Sequence, residues 1–301
     1  MHDDELLRTL VTEAVAAAVA AEEQRPAPAA LPPVRPGTDP TRAALAAQVG
    51  AWLGTPRVRL PGPPASWSPA RDRAGYLAAT PARLGVGRAG TRYKTATLLE
   101  FRSDHAAARD AVFSALEPEL IERLGMLSAR SAAQDRREFL RRPDLGRRLD
   151  EESAIRLARE ATRRPQVQIV AGDGLSATAL RVNLPRLLPP LLATLQAARL
   201  KVGRTIYVHN SRVALADQIG RITEAELLCM LVGERPGLKS AESVGAYITY
   251  FAGRKLVEAQ RSVISNIHDR GIPPEEGASR IAALCLRALS AKGTGIDLSG
   301  R

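Results

Sequence analysis

Past Pro165 the chain alternates short apolar runs with longer amphipathic stretches, and this alternation constrains the fold more than any other feature. Residues 167–170 (Val-Gln-Ile-Val), 205–209 and 227–232 are apolar and bounded by turn residues, the pattern of buried strands. Residues 187–200, 215–222 and 273–292 carry apolar side chains at helical spacing, with Pro274 suited to a first helical turn. Two further runs, 244–250 and 262–267, read as strands. Strands separated by helices build a mainly parallel sheet wrapped on both faces. Ligands of such sheets sit beyond the carboxyl ends of the strands. Three hinged loops fall there: 172–176 (Gly-Asp-Gly-Leu-Ser), 233–237 (Gly-Glu-Arg-Pro-Gly) and the stretch around Ser265 and Asn266. Their glycines permit close backbone approach to a flat ligand. Glu234 is an acid pushed out at a strand end beside Arg235, and the sequence leaves open whether it faces a ligand or pairs with that arginine.

The preceding residues differ in texture. Residues 1–24 form an acidic amphipathic helix with Leu7, Leu10, Val11, Ala14, Val15 and Ala18 on one stripe, suited to targeting or partner docking. Residues 25–40 hold six prolines and form a stiff linker. Residues 41–162 read as a helical subdomain, with helices over 43–52, 94–116, 119–127, 131–140 and 151–162. Residues 163–301 form the α/β domain. The expected architecture is therefore α/β and Rossmann-like, with flanking helices, a helical N-terminal subdomain and a tethered amphipathic helix.

Composition removes several classes of function. The longest apolar runs are interrupted well short of the roughly 18 residues of a membrane span. No basic leader followed by an apolar stretch opens the chain, so a cytoplasmic protein is expected. Cys229 and Cys285 lie in apolar contexts without metal-ligand spacing and read as reduced core residues. The net charge of +11 raises nucleic-acid binding as an alternative. Five of the 43 basic residues are lysines, however, leaving 38 arginines in an alanine-rich chain. That bias is the mark of a GC-rich genome. Aromatic residues for stacking bases are also scarce, at 4%.

Two motifs match familiar signatures incompletely. Residues 85–90 (Gly-Val-Gly-Arg-Ala-Gly) fit G-x-G-x-x-G, which raises a free-standing dinucleotide-binding oxidoreductase as the other alternative. The preceding residues are not strand-like, and the acid expected after a second strand is missing. A glycine-rich turn bearing Arg88, Arg92 and Lys94 remains, open as an anion-binding or a purely structural feature. Residues 266–271 (Asn-Ile-His-Asp-Arg-Gly) approximate the D-x-H-x-x-G of corrinoid proteins whose histidine ligates cobalt, with Asn266 in place of the acid. Four histidines without shared spacing give no metal site built from protein ligands.

Several stretches, in order, resemble the light chain of ethanolamine ammonia-lyase. They are GRAGTR with KTATLLEFRSDHAAARD (87–110), RRPDLGRRL (141–149), DGLS (173–176), LPPLLATLQAARLKVG (188–203), DQIG (217–220), LVGERPGL (231–238) and ISNIH (264–268). The resemblance covers roughly residues 83 to 295. It implies a small subunit, without catalytic residues of its own, that pairs with a large barrel subunit in a higher oligomer. Adenosylcobalamin would lie between the two, its own base still on cobalt. Cleavage of the cobalt–carbon bond would begin a radical conversion of ethanolamine to acetaldehyde and ammonia. Cofactors of this type carry the hard chemistry themselves. Corrinoid contacts carry over to Val213, Glu234 and Val263, and His268 is expected not to ligate cobalt. Ser211 stands where the family has a glycine, and Val263 where a cysteine is found. Location in the cytoplasm follows, with enclosure in a bacterial microcompartment an open alternative that the N-terminal helix would serve.

Overall fold

The short hairpin β1 (Arg88–Ala89) and β2 (Arg92–Tyr93) leads into α1 (Thr95–Phe113) and α2 (Pro118–Arg123). The structure is a computed structural model that describes residues 75–77, 83–250 and 257–299. The expected amphipathic helix, the proline-rich linker and the helix over 43–52 lie outside the described residues. The chain continues through β3 (Leu127–Arg130), α3 (Arg136–Arg141), a 3-10 turn (Leu145–Arg147) and α4 (Glu151–Glu160). The α/β part follows as β4 (Val167–Gly172), α5 (Ala177–Ala197), β5 (Ile206–His209), α6 (Leu215–Thr223), β6 (Leu227–Gly233), β7 (Val244–Tyr250), β8 (Ser262–Ile267), α7 (Pro274–Ala291) and α8 (Ile296–Ser299).

One six-stranded sheet organises these elements in the order β3-β5-β4-β6-β7-β8. β3, β5, β4 and β6 are parallel, with Leu127 beside Ile206, Val170 beside Ile206 and Val167 beside Leu227. β7 and β8 add antiparallel, so the sheet is mixed, with its parallel strands on one side. The β6–β7 connection is too short for a crossover helix, which needs about a dozen residues, so β7 can only turn back. β4 and β6 are buried along their whole length, as expected of central strands covered on both faces.

Two cores flank the sheet. Leu180, Leu184, Leu187, Leu191 and Leu195 of α5 join Ile281 and Cys285 of α7 on one face. Leu157 of α4 and Leu215 and Ile219 of α6 pack on the other. This distribution follows from handedness. The β4–α5–β5 crossover moves one way along the sheet, whereas β5–α6–β6 moves back past β4. Right-handed connections moving in opposite directions place their helices on opposite faces.

Three departures from the sequence reading have physical causes. α5 begins at Ala177, ten residues before the expected start, although Pro185, Pro189 and Pro190 lie inside it. Each internal proline costs about 3 kcal/mol. Six fully buried leucines (180, 184, 187, 188, 191 and 195), at roughly 1.5–3 kcal/mol apiece, outweigh that cost. The Ser176 hydroxyl also caps the helix by accepting the Ala179 N–H at 3.1 Å. Second, part of the stretch read as helical is strand β3. Its alternation, Leu127 and Ala129 in and Ser128 and Arg130 out, is only four residues long and is swamped by helical signals on both sides. Third, α1 forms where periodicity predicts it, but its apolar residues Leu98, Leu99 and Phe113 are exposed and only Ala111 is buried.

Candidate functional site: a cleft at the carboxyl edge of the sheet

β4 and β5 are neighbours whose chains leave toward opposite faces, which opens a crevice beyond their carboxyl ends. A cleft of about 420 Å³ lies there. Gly174 and Leu175 form the β4 wall, and Ser211, Arg212 and Val213 the β5 wall. Val232, Gly233, Glu234 and Arg235 come from the end of β6, with Tyr247 of β7 beside them.

Backbone packing sets this shape. Gly174 adopts φ +52°, and the Leu175 N–H donates to the Gly233 carbonyl at 3.0 Å, fastening the β4 loop to the end of β6. The left-handed conformation and the close approach both favour glycine. On the β5 side the Arg212 N–H donates to the Gly146 carbonyl at 2.8 Å. A Cβ on Gly146 would stand 2.6 Å from the Phe139 ring and 2.9 Å from the Arg212 side chain, so only glycine allows the 141–149 stretch to lie against the cleft.

Glu234 projects from the end of β6. Its carboxylate accepts the Ser243 hydroxyl and, at 3.3 Å, the Asn266 backbone N–H. Among the described residues it makes no ion pair with Arg235, so the internal pairing left open by the sequence is not what holds it. Tyr247 faces the same cleft, and burial, followed by the charges of Glu234 and Glu258, pushes its phenol pKa up. Val263 of β8 pairs with Tyr247 of β7 and is 48% exposed. Two of the three residues carried over from the sequence belong to the lining of the cleft. These are Val213 and Glu234, whereas Val263 lies outside the lining and adjoins it through Tyr247, its partner on the neighbouring strand.

Behind the cleft lies a buried carboxylate, Asp173. Its Oδ1 accepts the Ser211 N–H at 3.3 Å, and its Oδ2 is 2.9 Å from His209 Nδ1, close enough to pair although not aligned as a hydrogen bond. Arg136 Nη1 lies 3.9 Å from the same group. Burial lowers the Arg136 pKa despite the Asp173 charge, and burial aided by Asp173 raises that of Tyr207 far above the ordinary phenol range. Asp173 thus ties the β4 loop to the β5 loop through the Ser211 backbone. Sequence reasoning quoted Asp173 in a motif but assigned it no task, because the partners come from β5 and α3.

His268 is buried and fully engaged. Its Nε2 lies 2.7 Å from the Asn266 side-chain oxygen, and its Nδ1 accepts the Arg270 N–H at 3.3 Å. That pattern fixes the proton on Nε2 and leaves no ring nitrogen for a metal. The G-x-G-x-x-G stretch forms the β1–β2 hairpin and feeds α1, not a strand of the main sheet. Among the described residues no group of three or more His, Cys, Asp or Glu is arranged to hold a metal ion.

Residues 72–299 match the family described as ethanolamine ammonia-lyase light chain (EutC). The chain belongs to this family. It is 46% identical over 230 residues to the ethanolamine ammonia-lyase small subunit of Listeria monocytogenes serotype 4a (strain HCC23), covering 75% of this chain and 78% of that protein. The small subunit from Fusobacterium nucleatum is 44% identical over 223 residues, covering 74% and 76%. That of Lachnoclostridium phytofermentans is 43% identical over 234 residues, covering 77% and 79%. Four of the stretches that carried the light-chain resemblance meet at the cleft. DGLS and LVGERPGL form facing walls of the cleft, ISNIH supplies the Asn266 N–H to Glu234, and RRPDLGRRL abuts Arg212 through Gly146. Tyr247 stands in a run read only as a strand, and Arg212 lies between Ser211 and Val213 without being assigned a role of its own, so neither was legible as a lining residue.

No described helix is long and apolar enough to cross a membrane. Cys229 and Cys285 are buried and free, and the Cys285 thiol pKa is raised by its hydrogen bonding with the Cys229 thiol and by burial.

Proposed function

We propose that this small subunit supplies one wall of a groove for adenosylcobalamin, the other wall belonging to a large subunit that carries the substrate pocket, the two assembling into a higher oligomer. The supporting observation is that Val213 and Glu234 line one open cleft at the switch point of the sheet, with Val263 paired on the next strand to Tyr247 of that lining. The donor set suits a corrin. Such a ring is rimmed by amides whose N–H groups match a carboxylate acceptor at Glu234. Its faces match the apolar surface of Val213, Val232, Tyr247 and the exposed Val263. A cleft of about 420 Å³ takes part of so large a ligand, which agrees with a second wall from another chain.

The role of this chain is to bind and orient. Gly174 and Gly233 hold the walls at fixed separation, Glu234 receives a ring amide, and Val263 with Tyr247 excludes water from one side. When bound, adenosylcobalamin supplies the radical chemistry that converts ethanolamine to acetaldehyde and ammonia. Engagement of both His268 nitrogens supports a corrinoid that keeps its own base on cobalt.

Omission of each subunit tests the proposal. Large subunit, this chain and adenosylcobalamin together should release ammonia from ethanolamine, and removal of this chain should abolish release. Undiminished turnover without it would refute the assignment.

A further inference from the structure

Arg212 enters the cleft from the β5 side with its charge uncommitted. Its guanidinium lies over the Phe139 ring at 4.3 Å, and Nη2 donates to the Phe139 carbonyl at 3.3 Å. Its Nε has no acceptor, and among the described residues no carboxylate pairs with it. Instead its pKa is lowered by burial and then by a second guanidinium, that of Arg147. Arg147 is also without a carboxylate partner among the described residues. It belongs to the 141–149 stretch, pressed against Arg212 through Gly146.

Like charges gathered beside a cleft with no acid to balance them repel one another, a cost that an incoming anion removes. The contrast with Arg136 is informative. Arg136 stacks on the same ring at 4.8 Å, but it is spent on Asn210 at 3.2 Å and on Asp173. Stacking on Phe139 fixes the plane of the Arg212 fork, which suits recognition of phosphate oxygens. The acid of the cleft stands apart. Glu234 follows β6 and Arg212 follows β5, and these strands lie two spacings apart across β4, about 10 Å. One end of the cleft is therefore an acceptor and the other a cation.

We infer that Arg212, backed by Arg147, forms a phosphate subsite at the β5 end of the cleft, which takes the phosphodiester of the corrinoid's nucleotide loop. The inference rests on the corrinoid reading above and assigns the ligand's direction, with the nucleotide loop toward β5 and the ring toward β6–β8.

Equilibrium dialysis of the complex of large and small subunits tests it, with hydroxocobalamin and with cobinamide, which lacks the nucleotide loop. Arg212→Gln should weaken hydroxocobalamin binding about tenfold or more and leave cobinamide binding unchanged. Arg147→Gln, an exposed position outside the Phe139 stack, should reproduce the selective loss at smaller size and decides the matter if Arg212→Gln fails to assemble. Inorganic phosphate should compete with hydroxocobalamin and not with cobinamide. Equal loss of both corrinoids, loss of neither, or phosphate binding that leaves hydroxocobalamin undisturbed would each overturn the subsite. A wild-type complex that retains neither corrinoid would overturn the corrinoid reading itself, whereas one that retains both equally well overturns only the subsite.

Discussion

Gly174 faces the carbonyl oxygen of Gly233 so closely that a Cβ on Gly174 would stand 2.4 Å from it. The contact joins the loop after β4 to the end of β6 and sets the width of the cleft that both loops line. Because the obstruction is backbone, no rotation of a side chain relieves it.

Gly174→Ala should therefore be costly. A non-glycine residue in the left-handed region costs about 1–3 kcal/mol, and the clash adds to it. Thermal melting of the purified chain should show a clearly lowered midpoint, and the complex should hold corrinoid more weakly. An unchanged midpoint would show that the loops separate freely.

Glu234 offers a separation of charge from shape. Gln at this position keeps an oxygen for Ser243 and Asn266, so melting should change little, while corrinoid affinity should fall about tenfold through loss of a charged acceptor. Ala leaves both donors unsatisfied and should also cost about 1–3 kcal/mol of stability. Equal corrinoid affinity in wild type and the Gln variant would remove Glu234 from the contact set.

His268→Ala should lower stability by about 1–3 kcal/mol, since a buried, doubly bonded ring is lost. The absorption spectrum of bound corrinoid should stay that of the base-on form. A change in the axial-ligand bands would contradict the structural role given to this histidine.

Tyr207 carries a pH signature. Burial first, and then the Asp173 charge, hold its folded-state pKa well above the value of about 10 in an unfolded chain. Below pH 10 both states keep the proton and the contribution is fully present. Above it the unfolded chain ionises first, so stability falls as pH rises. Tyr207→Phe should make the alkaline decline in denaturation free energy shallower, with Tyr247 accounting for part of what remains. An identical slope in both proteins would show that Tyr207 does not titrate in this way.

The parallel strands were legible because β4, β5 and β6 are continuous apolar runs bounded by turns. Helix α5 was legible only in its second half, since its prolines argue locally against a helix that long-range burial of Leu180 and Leu184 imposes. β3 escaped because four residues of alternation carry too little period. Within the cleft, Glu234 was visible as an acid at a strand end. Arg212 and Asp173 were not, because their significance depends on Phe139, Gly146 and His209, which are distant in the chain and meet only in the folded sheet.

Val263 gives the most direct access to the central claim, since its side chain is exposed on β8 beside Tyr247 and a replacement there leaves the cores intact. The decisive measurement is retention of cobalamin, read from the absorption spectrum after gel filtration, by the complex of the large subunit with wild type or with Val263→Arg. Retention by the wild-type complex and its loss from an assembled Val263→Arg complex with an unchanged melting midpoint is the expected result. Full retention by the variant would contradict the placement of the corrinoid against this edge of the sheet.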